Sequence, residues 1–146
     1  MASRSQLETL IGLARRETDD AAKRLGAALK MVDDAAQKLQ MLTGYRDDYI
    51  KRFEATLAAG MTPMAYRNFQ AFIDKLDTAI SGQQDAVRHA ERRAEHEKKT
   101  WQESERKRMS YTTLDNRAAE KEQQIEAKRD QKAMDEHAAR QAYYKR

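Results

Sequence analysis

Three groups of residues have types that could support chemistry, and their spacing decides against each. Asp135, Glu136 and His137 stand in a row near the C-terminal end, and a carboxylate pair beside an imidazole is raw material for acid–base catalysis. Neighbours in a helix point about 100° apart, so the three diverge instead of converging on one reacting atom. The chain also contains no G-x-x-x-x-G-K-[ST] phosphate loop that would make such a group part of a nucleotide-hydrolysing site. His96 and Glu97 open the H-E-x-x-H pattern of zinc proteases, but Thr100 stands where the second histidine must be. His89 and His96 lie seven residues apart on a charged face with no third ligand nearby, which reads as a pair of solvated histidines. The expectation is a protein that is not an enzyme and has neither metal nor cofactor.

The elements that carry these residues follow from periodicity. From Leu7 the apolar or small residues recur in a four-three rhythm through Ile11, Ala14, Thr18, Ala21, Leu25, Ala28, Val32, Ala35, Leu39 and Leu42, then Tyr49 and Phe53, with Arg46 in one slot. A stripe at a spacing of about 3.5 residues over that length is a coiled-coil seam. Ser5 to Glu8 reads as a capping box that starts the helix near Gln6. Asp20 with Arg24, Asp34 with Lys38 and Asp48 with Arg52 place acid before base at helical spacing, each pair worth a few tenths of a kcal/mol.

The rhythm stops at "AAGMTPM", residues 58–64. Gly60 supplies the left-handed residue that ends a helix, and Thr62 with Pro63 supplies a cap and first-turn proline for the next. A link this short folds the second helix back along the first. Phe69, Ile73, Leu76, Ile80, Val87, Ala90, Ala94 and Trp101 then repeat the seam, with Gln83 and Glu97 as polar interruptions. The fold class expected is all-α, a long antiparallel two-helix coiled coil in one domain, 1–146. Its parts are helix 6–57, turn 58–63 and helix 64–140, with a free C-terminal part from about 116. A lone helix of that kind is marginal in water, because helix stability in proteins comes mainly from packing an apolar face.

Composition agrees with this reading. The 146 residues carry 36% charged and 7% aromatic side chains, five Gly, one Pro and no Cys, at a mean hydropathy of -1.00. That usage fits long helices and fits sheets poorly. A net charge of +4 from 28 basic and 24 acidic residues mixed at close range gives only a weak pull on acidic partners, short of a nucleic-acid signature. No apolar run approaches the roughly 20 residues of a membrane span, and no secretory signal opens the chain. The expected location is the cytoplasm, without membrane insertion.

Surface candidates lie off the seam. Leu42, Tyr45 and Tyr49 step along one face of the first helix, and Phe72, Leu76 and Ala79 along the second. Antiparallel register about the turn sets the two groups side by side. Tyr45 and Phe72 are surplus to the seam, and contiguous exposed apolar surface marks a contact site, the alternative being that they only widen the seam. Trp101, on the seam itself, reads as core.

The segments "ETDDAAKRLG", "MLTGYRDDY", "NFQAFIDKL" and "RDQKAMDEHAAR", in this order and spacing, make the whole chain resemble the FliJ family of flagellar type III export proteins. The resemblance implies a shape similar to the central stalk of rotary ATPases. It also implies binding at the flagellar export ATPase ring, contact with the cytoplasmic domain of the export gate, and recycling of flagellar export chaperones. Peripheral association with the inner membrane through the export apparatus follows. The gate surface it implies is Lys38, Leu42, Tyr45, Tyr49, Phe72, Leu76, Ala79 and Gln83. From the same resemblance and the charge pattern of the free end, Leu7, Ile11, Arg15, Arg129, Lys132, Asp135 and Arg140 are expected at the ATPase. The alternatives are a structural coiled-coil spacer and the stalk protein of a virulence type III secretion system.

Overall fold

The computed structural model describes residues 4–145, in which two helices, α1 (Arg4–Ala59) and α2 (Pro63–Tyr144), are joined by Gly60, Met61 and Thr62. No strand occurs among the described residues. The all-α antiparallel pair expected from the seam is therefore the fold. Both helices run further than the pattern marked, beginning before Gln6 and continuing past residue 140.

The turn is built by its three residues as their chemistry requires. Gly60 takes φ +108°, a left-handed conformation that a side chain disfavours, and its N–H bonds to the Leu57 carbonyl at 3.2 Å. The Thr62 hydroxyl accepts from the Ala65 N–H at 3.2 Å, and the Thr62 carbonyl accepts from Tyr66 N–H at 3.0 Å. That is an N-cap followed by a proline whose missing N–H would have had no helical partner. The capping box at the other end does not form. Ser5 lies within the first turn of α1, and its carbonyl accepts from the Thr9 hydroxyl at 3.1 Å.

Contacts divide the chain into two compact units, Asp20–Trp101 and the pair Met1–Asp19 with Gln102–Arg146. The Asp20–Trp101 unit is a helical hairpin. Its interior is made of small and aliphatic side chains, Ala21, Ala28, Ile73, Leu76 and Ala94, with Ala21 at 0% exposure. Near the turn six aromatic rings alternate between the helices. Tyr45 meets Phe72 (centroids 6.4 Å apart), Phe72 meets Tyr49 (4.5 Å), Tyr49 meets Phe69 (5.1 Å), Phe69 meets Phe53 (5.3 Å) and Phe53 meets Tyr66 (5.5 Å). All are tilted or edge-on, the arrangements that ring quadrupoles favour.

The polar interruptions of this seam are each answered from the other helix. The Gln83 amide donates to the Ala35 carbonyl at 3.0 Å. Arg46 forms an ion pair with Asp77, and Glu97, with its side chain 15% exposed, lies 3.5 Å from Arg24. The acid-before-base pairs within α1 do not close. Arg24 reaches across to Glu97, and neither Asp34 with Lys38 nor Asp48 with Arg52 forms an ion pair among the described residues.

In the other unit the start of α1 packs beside the part of α2 that follows Trp101. Leu7, Ala14 and Thr18 are buried, the last with its hydroxyl returned to the Ala14 carbonyl at 2.9 Å. Arg4 straddles two acids of α2, 2.6 Å from Glu122 and 3.6 Å from Asp115. Lys107 lies 3.8 Å from Glu17. Side-chain burial on α2 ends at Ala119, and residues 120–145 are exposed on every face while still helical through Tyr144.

Candidate functional site

The residues near the turn form a surface whose members differ in what they offer. Tyr45 is 55% exposed and rests its ring edge against Phe72, which is half-buried between Tyr45 and Tyr49. Leu42 and Tyr49 are likewise half-buried, and Lys38 and Ala79 are exposed. Leu76, at 7% exposure, faces its partner helix, so it supports the surface and presents little of itself. Gln83 spends its amide on Ala35. Arg46 and Asp77 bound the surface as an ion pair, and the hydrogen bond to Asp77 raises the Arg46 guanidinium above its ordinary range. Tyr45 and Phe72 both stand in the aromatic ladder, Tyr45 at its exposed end and Phe72 half-buried within it, so they extend the contact between the helices at its edge.

The same hairpin carries an open groove of about 470 Å³ lined by Leu25, Leu29, Val32, Ala94 and Trp101, with Glu91, Glu95 and Lys98 along its rim. Leu29 is 54% exposed there. Trp101 is half-buried and forms one wall, between core and surface. Periodicity placed Trp101 on the seam but gave no sign of the groove, because Leu29 is off the four-three rhythm.

In the unit of chain ends, Leu7 is buried, Ile11 is half-buried, and Arg15 is exposed. Arg129, Lys132, Asp135 and Arg140 all lie in the exposed end of α2, where Gln131 donates to Asp135 at 3.0 Å. Nearer its packed part, Arg108 clasps Glu105 with two bonds, 2.5 and 3.2 Å. The Arg108 hydrogen bonds hold the Glu105 carboxyl below the usual glutamate range, and the same contact raises Arg108.

The groups with catalytic residue types are dispersed. Asp135, Glu136 and His137 are exposed on different sides of one helix, and the Thr100 hydroxyl donates to the His96 carbonyl at 3.2 Å. Among the described residues no three His, Cys, Asp or Glu side chains gather closely enough to hold a metal ion. No helix among them is long and apolar enough to cross a membrane.

A hairpin seam, an aromatic ladder and surfaces carried on helix flanks define a two-helix coiled-coil protein. Comparison narrows the class. The family described as flagellar FliJ protein matches residues 3–146, and the chain belongs to the FliJ family. It is 31% identical over 145 residues to the flagellar FliJ protein of Escherichia coli (strain K12). It is 32% identical over 145 residues to that of Salmonella typhi. Each alignment covers 99% of both chains.

Proposed function

We propose that this chain is a non-enzymatic, stalk-like component of the flagellar type III export apparatus. Its exposed α2 end and the adjoining start of α1 engage the export ATPase ring and promote its assembly or turnover. The hairpin surface around Tyr45 and Phe72 contacts the cytoplasmic domain of the export gate, and the chain helps recycle export chaperones. The observation that carries this reading is the contrast within α2: a stretch that packs on α1 and is tied to it as far as the Arg4–Glu122 ion pair, followed by residues 123–144, which are exposed on every face and remain helical. In a protein of this family, such a segment is surface held ready for a partner. Its interleaved charges and sparse apolar steps, Ile125, Met134 and Tyr143, suit a grip that releases.

Family membership across 99% of two flagellar relatives supports the flagellar setting. The location proposed is the cytoplasm, at the inner membrane through the export apparatus. The test measures ATPase activity and ring formation with the full chain, with a chain ending at Gln123, and with Tyr45→Ala. A cut after Gln123 keeps Ala118, Ala119 and the Glu122 contact to Arg4, so the packed part stays whole. Truncation should remove stimulation and leave gate binding, and Tyr45→Ala should do the reverse. Full stimulation by the truncated chain would refute the role of the α2 end.

A further inference from the structure

One face of α1 in the Asp20–Trp101 unit carries a pattern that the seam does not explain and that the gate surface shares only at Lys38 and Tyr45. Three related heptapeptides, DDAAKRL, DDAAQKL and DDYIKRF, begin at residues 19, 33 and 47. The repeat is two heptads long, so equivalent residues return to the same side of a supercoiled helix. Asp20, Ala27, Asp34, Met41 and Asp48 thereby recur every seven residues, and Arg24, Met31, Lys38, Tyr45 and Arg52 follow each by four. Together they make a second four-three stripe, turned roughly 100° round α1 from the buried seam. All ten residues are exposed, including Met31 at 57% and Met41 at 66%. Asp20, Asp34, Asp48, Lys38 and Arg52 belong to no ion pair among the described residues.

The order of these residues is complementary to its own reverse. Laid against an antiparallel copy with Ala36 level with Ala36, Asp20 meets Arg52, Arg24 meets Asp48, Asp34 meets Lys38, Met31 meets Met41 and Ala27 meets Tyr45. Two-fold symmetry makes each rung occur twice. A parallel, in-register copy would instead stack acid on acid and base on base. We propose that the chain associates with a second copy of itself through this face, the two α1 helices antiparallel and centred at Ala36. This association does not rest on the export reading. The apolar contribution comes from the four methionines and two tyrosines of the pair, and Lys23 and Lys51 come within two positions of each other as like charges on its flank. The association is accordingly weak and falls as salt rises, since its rungs are exposed charges. Lys38 and Tyr45 also lie in the proposed gate surface, so a dimer of this geometry and gate contact exclude one another.

The chain has no cysteine, which makes the geometry directly testable in the full-length protein. Met31→Cys and Met41→Cys chains should form a disulfide-linked pair when mixed and oxidised at low salt, and neither should cross-link with itself, because like positions in an antiparallel pair are about 15 Å apart along the helix. By sedimentation velocity, Asp34→Lys and Lys38→Asp should each weaken association by about tenfold. The double variant should restore it, with circular dichroism confirming unchanged helicity in all three. If charge reversal disturbs the helix, the methionine cross-links decide alone. Self-cross-linking of the Met31→Cys chain, a double variant as weak as either single one, or a monomer at every concentration in low salt would overturn the proposal.

Discussion

Gln83 donates its side-chain amide to the backbone carbonyl of Ala35, 3.0 Å away on the opposite helix. Slots of a coiled-coil seam are ordinarily apolar, and a polar residue in one specifies register at some cost in stability. Removing the side chain with Gln83→Ala should lower stability by about 1 kcal/mol through loss of the bond and of packing. Gln83→Leu should recover that loss, since the Ala35 carbonyl retains its bond within α1. Urea denaturation of the three proteins checks the order, and a Leu variant no better than Ala would show that the bond outweighs burial.

Phe72 and Tyr45 touch one another but should separate in their effects. Phe72 is half-buried and meets two rings, so Phe72→Ala should cost about 1.5–2.5 kcal/mol, near half the range of fully buried phenylalanines. Tyr45 is mostly exposed at one end of the ladder, and Tyr45→Ala should cost less than about 1 kcal/mol. If both contact the gate, each weakens binding, and only Tyr45→Ala does so without a matching fall in melting temperature.

Two glycines should respond in opposite directions to the same substitution. Gly26 is helical, and a methyl group there would meet nothing within 4 Å, so Gly26→Ala should stabilise by about 0.5–1 kcal/mol. Gly60 has as much room but sits at φ +108°, so Gly60→Ala should destabilise by about 1 kcal/mol or more. Thermal melts of the two variants suffice.

The Glu105 carboxyl is held below its ordinary range by the Arg108 hydrogen bonds. A depressed carboxyl contributes stability above its unfolded pKa and loses it as pH falls through the folded pKa. Acid should therefore loosen this turn of α2, by a small amount because both groups are solvated. Side-chain carbon chemical shifts of Glu105 followed with pH should titrate at a lower value in the parent than in Arg108→Gln.

Much of the fold was legible because both its periodicities are local. The seam residues from Leu7 to Phe53 and from Phe69 to Trp101 and the turn chemistry of Gly60, Thr62 and Pro63 each depend on neighbours a few residues away. What was not legible depends on register between helices. Gln83 and Glu97 read as defects in the stripe, since their partners, the Ala35 carbonyl and Arg24, are 48 and 73 positions away. For the same reason Asp20 with Arg24 was expected to pair within α1, whereas Arg24 turns to the other helix. Ser5 misled because a capping-box sequence inside a helix and one at its start look alike. Among the candidate site residues, Tyr45 and Phe72 could be singled out as apolar groups beside the seam, but their meeting as rungs of one ladder could not. The support given by buried Leu76 needed the packed pair to be seen.

The burial pattern has a calorimetric consequence. No large side chain among the described residues is fully buried; the most enclosed position is Ala21, and every aromatic residue is half-buried or exposed. Heat capacity rises on unfolding in proportion to newly wetted apolar surface, typically about 12–15 cal/mol/K per residue in globular proteins. This chain wets far less, so its increment should fall below that range. Its free energy would then vary gently with temperature, giving a broad, shallow melting endotherm and a cold-denaturation point displaced well below that of a compact domain of equal length.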